Sequence, residues 1–194
     1  MFKNNKTFQG FFDGLFFNSN FISALTVIFA LLAYFVYNYS SRISFGFFVL
    51  AFFMGIWRYI VAQKASIQIQ SAKFTCGIAN RIVEFLIILT LFNIHISQFI
   101  LQNDIWLLII LFFGTGMTSF VKAYAVYTKA IRHEQAVKIS GMLERMERSF
   151  LLLISYLFVL LDNEYLASIV LMFTAILCVL TFFERFVSII YSET

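Results

Sequence analysis

The chain of 194 residues is 61% hydrophobic and only 12% charged, with 27 phenylalanines and no proline; a water-soluble domain typically carries about 25% charged residues, so an ordinary soluble fold is excluded and a bilayer is implied. Lys and Arg outnumber Asp and Glu by 14 to 10, a surplus that membrane topology and anionic lipid account for with no nucleic-acid partner. The two cysteines, Cys76 and Cys178, point neither to a disulfide framework nor to a thiolate metal site.

The opening stretch MFKNNKTFQGFFDGLFF shows no small-residue cleavage site before Asn18 and reads as part of the mature chain. Its Phe11/Phe12 and Phe16/Phe17 pairs alternate with Asn, Gln, Lys and Asp, the pattern of a helix lying in the membrane interface over 1–18; a disordered tail is the alternative. Apolar runs follow at about 21–39, 43–62, 74–96, 105–127, 143–161 and 165–190. Each comes close to the roughly 20 residues that cross about 30 Å of hydrocarbon. The expected fold class is therefore all-α: a polytopic bundle of six transmembrane helices over 19–194, behind an N-terminal juxtamembrane amphipathic helix. Without proline, the helices are expected to run without proline kinks.

Charge placement orients this bundle. With the N-terminus in the cytoplasm, Lys3, Lys6, Lys64, Lys73, Arg81, Lys129, Arg132, Lys138, Arg145, Arg148 and Arg185 fall on or near the inner side. The outer side receives only Arg42, so both termini are expected to be cytoplasmic. Chemistry-capable groups also gather at the inner ends of the second to sixth spans, and ionisable groups at such depths mark function more often than packing.

Arg58 lies within IWRYIVAQ, well inside an apolar run, and Cys76, Asn80 and Glu84 follow at four-residue spacing on one helix face beside Arg81. An arginine and a carboxylate at the mouth of a bundle hold a phosphate or neutralise each other. The plainer alternative is that Arg58 and Arg81 snorkel to the headgroups and Glu84 pairs with one of them. Further on, Lys122 lies about a turn inside the interface. After a polar linker, SGMLERMERSFLLL carries Glu144, Arg145, Glu147 and Arg148 into a span, an expensive arrangement unless these charges bind a partner or fix a buried network.

Four segments together resemble the CDP-alcohol phosphotransferase family, in particular its phosphatidylinositol-phosphate and archaetidylinositol-phosphate synthase-like branch. NFISALTVIFALLA at 20–33 looks like the Asn-x-x-Thr opening of the family's first span, and AKFTCGIANRIVEFLIILTLF at 72–92 like its third helix. TSFVKAYAV is similar to its Ser-Tyr-x-Arg-Ala-Arg segment, and SGMLERMERSFLLL at 140–153 to its Gly-x-x-Glu-Arg-x-Glu-Arg lead-in to the fifth span. The resemblance implies an N-terminal juxtamembrane helix, six transmembrane helices, a homodimer, and metal-dependent transfer of a phosphatidyl-type group from a CDP-linked lipid to an alcohol with release of CMP.

The family signature is Asp-x-x-Asp-Gly-x-x-Ala-Arg, eight residues, then Gly-x-x-x-Asp-x-x-x-Asp. Anchored on Asn80, its spacing falls without a gap on Gly55, Arg58, Tyr59, Ala62, Gln63, Ala72, Cys76 and Asn80. All four aspartate positions, Gly55, Arg58, Cys76 and Asn80, are substituted. In the family three of these aspartates hold divalent metal and the fourth activates the acceptor hydroxyl. Magnesium and manganese need hard oxygen ligands, which Gly, Arg and Cys do not supply, and Asn80 has no carboxylate to accept a proton.

The expectation is a catalytically degenerate relative of this family in a bacterial cytoplasmic membrane, with no cofactor and no confident catalytic residue. Its partner is a membrane lipid or CDP-linked lipid, held by Arg58, Arg81, Glu84, Lys122, Glu144, Arg145, Glu147 and Arg148. Two alternatives stand beside it. One is an active phosphatidyl-type transferase that regroups Glu84, Glu144 and Glu147 around Mg or Mn; the other is a small transporter subunit.

Overall fold

A computed structural model describes residues 19–64, 70–96, 98, 100–139 and 141–191. The interfacial helix expected over 1–18 lies outside the described residues. The described part is all-α. Its helices are α1 (Ser19–Val36), α2 (Ser41–Lys64), α3 (Gln70–Phe92), α4 (Asn103–Tyr127), α5 (His133–Lys138), α6 (Arg145–Leu160) and α7 (Glu164–Tyr191).

Four stretches, Ser41–Arg58, Phe74–Phe92, Asn103–Tyr127 and Glu164–Tyr191, are long and apolar enough to cross a bilayer, which makes the chain a multi-spanning membrane protein. Two of the six expected spans correspond to shorter helices, α1 with 18 residues and α6 with 16. The third run stops sooner than its apolar pattern suggests. α3 ends at Phe92, where the Asn93 side chain donates to the Leu89 carbonyl at 2.9 Å and Ile94 N–H bonds Leu91 O at 3.2 Å. An Asn that occupies a backbone acceptor in this way competes with the next helical turn.

The chain divides into two compact units, Met1–Leu86 and Ile87–Thr194. In the first, α1 and α2 form an antiparallel hairpin. Its turn is closed by Tyr37 N–H on Ala33 O at 3.1 Å and Ser40 N–H on Val36 O at 3.0 Å. Ile22, Ala30, Ala33, Phe48 and Ala51 are buried along this unit. In lipid, where burial against another helix carries little hydrophobic gain, small residues such as Ala30, Ala33 and Ala51 let backbones approach and collect dispersion energy.

In the second unit α7 packs against α6 and against α4. Leu107, Ile110, Leu152, Tyr156, Leu171, Ala175 and Cys178 are buried there. Hydrogen bonds reinforce the packing: Ser155 donates to Ala167 O at 3.1 Å, and Ser168 donates to Asn103 Oδ1 at 2.7 Å. The segment between Tyr127 and the SGMLERMERS stretch, expected as a polar linker, contains the short helix α5. Ala136 of α5 packs with Ala125, Ile131 and Ile189 in a small core of its own.

Over Ile110–Met117, α4 widens into a π turn. Thr118 N–H reaches back five residues to Phe113 O, so the helix absorbs one residue more than an α-helix of the same height. α4 is therefore not α-helical throughout its length. The interruption needs no proline and coincides with the small residues Gly114, Thr115 and Gly116.

Candidate functional site

The first unit gathers three of the four substituted signature positions. Arg58 sits near the C-terminal end of α2 and is 1% exposed. Its Nη1 donates to Ser23 Oγ on α1 at 3.0 Å and its Nη2 to Asn80 Oδ1 on α3 at 2.5 Å. The Cys76 thiol, one turn before Asn80, lies beside the same guanidinium. Gly55, the fourth position, is buried one turn earlier on α2, and Thr75 donates to Asn20 Oδ1 at 2.7 Å, adding a direct α3 to α1 bond.

Two readings of the sequence change here. Arg58 does not snorkel: its guanidinium is enclosed by protein. Its partners are neutral, so it is not spent on neutralising Glu84. Glu84 is itself buried, whereas Arg81 is exposed. Arg58 Nε has no hydrogen-bond partner. A buried guanidinium held only by neutral groups keeps its full charge, and such a group favours any anion able to approach it. Beside this cage, Phe21, Ile22, Leu25, Met54 and Trp57 line an apolar cavity of about 230 Å³.

The second unit assembles another cluster around the start of α6. Arg185 on α7, 8% exposed, donates from Nη1 to Thr118 O at 3.2 Å and from Nη2 to Glu144 Oε1 at 3.1 Å. Lys122 donates to Ile139 O and lies close enough to Arg185, Glu144 and Arg145 to feel their charges. Arg148 is buried, and its side chain runs past Gly114, where a Cβ would stand 3.0 Å from Arg148 Cδ and 2.8 Å from Cys178 Sγ.

SGMLERMERS has a local structural role. Glu144 and Glu147 form a reciprocal capping box at the start of α6, each satisfying a backbone N–H that the helix leaves open. Glu147 Oε2 accepts from Glu144 N–H at 2.8 Å. The preceding turn is pinned to α7: Met142 N–H donates to Glu184 Oε2 at 2.8 Å and Leu143 N–H to Thr181 Oγ1 at 3.0 Å. Gly141 is required, because a Cβ there would overlap Thr181 and lie 2.8 Å from Arg185 Nε.

Of the residues expected from sequence, Arg58, Cys76 and Asn80 thus converge in one unit, and Lys122, Glu144 and Arg145 in the other. Glu144 and Glu147 are exposed, yet each has an oxygen committed to the helix cap. Arg185 is the member of this cluster that the sequence hid. It reads as one more inner-side charge near the end of a long apolar run, and only its pairing with Glu144 distinguishes it.

Among the described residues, no three His, Cys, Asp or Glu side chains cluster in a way that could hold a metal ion. A cavity of about 360 Å³ lies at the other end of α4 from Lys122, lined by Asn93, His95, Gln98, Gln102, Asn103 and Asp104 among others. No family model matches the chain, and neither a curated protein nor a solved structure matches it.

Proposed function

We propose that this protein is a catalytically degenerate relative of the CDP-alcohol phosphotransferases, a six-span membrane protein that binds a phosphorylated or CDP-linked lipid at its cytoplasmic face without cleaving it. The observation that carries this reading is the hydrogen bond between Arg58 and Asn80, with Cys76 alongside. Positions matched to the family signature by spacing alone meet in space, and a cation stands where the family places metal-binding aspartates.

Chemically, the arrangement suits recognition. A guanidinium supplies positive charge and directed donors to a phosphate, and the cavity of Phe21, Leu25 and Trp57 beside it suits an acyl chain. Hydrolysis or transfer needs more: a metal or equivalent charge at the leaving group and a base at the acceptor hydroxyl. Asn80 lacks a proton-accepting carboxylate. The orientation, with both termini cytoplasmic, rests on the lysine and arginine asymmetry. The two shorter helices α1 and α6 complete the six spans, and a homodimer follows from the resemblance.

The test is purified protein in lipid nanodiscs, incubated with labelled CDP-diacylglycerol and Mg²⁺ or Mn²⁺, with binding and CMP release measured separately. The expected result is saturable binding, reduced at least tenfold by Arg58→Ala, with no CMP above the protein-free control. Robust metal-dependent CMP release overturns the degenerate reading in favour of an active transferase. Absence of binding overturns the lipid-recognition role.

A further inference from the structure

The π turn in α4 is tied to the charged cluster through side-chain bonds at Thr118. Because Thr118 N–H bonds Phe113 O, it leaves the Gly114 carbonyl that an α-helical N–H would take. The Thr118 hydroxyl donates to Gly114 O instead. From the neighbouring helix, Arg185 Nη1 donates to Thr118 O, the carbonyl of the residue that ends the π turn, while its Nη2 is anchored on Glu144. Gly114 lies against Arg148 and Cys178 with no room for a side chain, so the widened turn is seated as well as bonded.

In a span, backbone groups released from α-helical pairing must find partners within the protein. Here the Thr118 hydroxyl serves the Gly114 carbonyl, and Arg185 holds the carbonyl of Thr118, the first residue of the α-helical half that follows the turn. A π turn differs from α by one surplus residue. Winding it into α turns one half of the helix against the other by about 100° and lengthens it by about 1.5 Å. Every donor needed for the α form is already in the chain, since no proline interrupts α4.

We infer that the π turn at Ile110–Met117 is a rotary joint, latched by Arg185. In the latched form Lys122 lies against Ile139 and the start of α6. When Arg185 leaves the Thr118 carbonyl, the turn winds into α and Thr118–Tyr127 rotates relative to Asn103–Ile109. That rotation carries Lys122 away from Glu144 and Arg145, and turns the stacked Phe120 and Tyr124 rings to a different neighbour.

The test is pulsed electron resonance on full-length protein in nanodiscs, with nitroxides at Tyr124→Cys on α4 and Leu157→Cys on α6, after Cys76 and Cys178 are replaced by Ala. Both label sites are exposed. This parent is expected to give one distance. Arg185→Met is expected to add a second population displaced by roughly 8 Å, the chord of a 100° turn at the radius of a helix with side chains. Thr118→Val, which removes only the hydroxyl bond to Gly114, is expected to add the same population in smaller amount. Deleting Gly116, an exposed residue of the turn, removes the surplus residue. Combined with Arg185→Met it is expected to restore the single parental distance.

Three results overturn the joint: both substitutions keeping the parental distance alone, the second population persisting in the deletion, or a deletion variant that no longer elutes as the parent does. The last would mean that the segment carries no surplus residue to lose. If Arg185→Met alone fails to fold, the Thr118→Val distances decide the question by themselves.

Discussion

Two of the three buried arginines among the described residues, Arg58 and Arg185, are held in opposite ways. Arg58 lies in a cage of neutral groups, Ser23, Asn80 and the Cys76 thiol, whereas Arg185 is bound to a carboxylate, Glu144, and to a backbone carbonyl. In both the Nε is without a partner, so hydrogen-bond completeness does not separate them; the countercharge does. A paired guanidinium is close to electrically neutral and serves architecture. An unpaired one imposes an electrostatic cost on the fold and favours any anion able to approach it.

The largest expected effect tests the architectural side. Arg185→Met leaves Glu144 without its cation and removes the donor to Thr118 O, and is expected to destabilise by about 2–4 kcal/mol, read as a lowered midpoint in thermal unfolding in detergent. Glu144 is half exposed, which keeps the figure below that of a fully buried pair. Gly141→Ala is next. Its Cβ would press into Thr181 and Arg185 and is expected to cost about 1–3 kcal/mol by the same measurement.

Asn80→Ala removes an acceptor from the Arg58 cage and is expected to cost about 1 kcal/mol or somewhat more. Arg58→Met should move the midpoint least, or raise it, because it replaces an uncompensated charge with an apolar side chain of similar length. Under the proposed lipid-binding role, CDP-diacylglycerol is expected to raise the midpoint of the parent and not that of this variant. A fall of several kcal/mol for Arg58→Met, as large as that for Arg185→Met, would erase the distinction between the two arginines. As an internal calibration, Gly46→Ala, where a Cβ meets nothing within 4 Å, is expected to stabilise α2 by at most about 1 kcal/mol.

Much of this architecture was legible because lipid imposes a simple rule: apolar runs of sufficient length become helices. That rule found α2, α3, α4 and α7 to within a few residues. It failed where a single polar side chain decided the matter, as at Asn93, which ends α3 four residues before its apolar run does. It was blind to the π turn, since one surplus residue in an all-apolar stretch changes no periodicity that composition could register. Glycines at 114 and 116 were the only local sign.

The site divides similarly. Spacing to a family signature picked out Arg58, Cys76 and Asn80, which do meet. The charges of 140–148 were readable as chemistry or as a helix start, and the capping box and clamp give them a structural task first. Arg185 escaped notice because its partner Glu144 is 41 positions away in sequence, and long-range pairing is not written in any local pattern.

The length of α7 has a consequence for the whole cluster. Its 28 residues make about 42 Å of helix at 1.5 Å per residue, against about 30 Å of hydrocarbon. At a common tilt near 20°, roughly 10 Å of it must lie among the headgroups. Arg185 stands six residues, about 9 Å, before the last residue of this helix, within a turn or two of the boundary between acyl chains and headgroups. A thicker membrane draws it toward hydrocarbon and a thinner one toward headgroup water. Acyl-chain length, a property of the host membrane and not of any side chain, thereby sets how strongly the Arg185–Glu144 pair is felt.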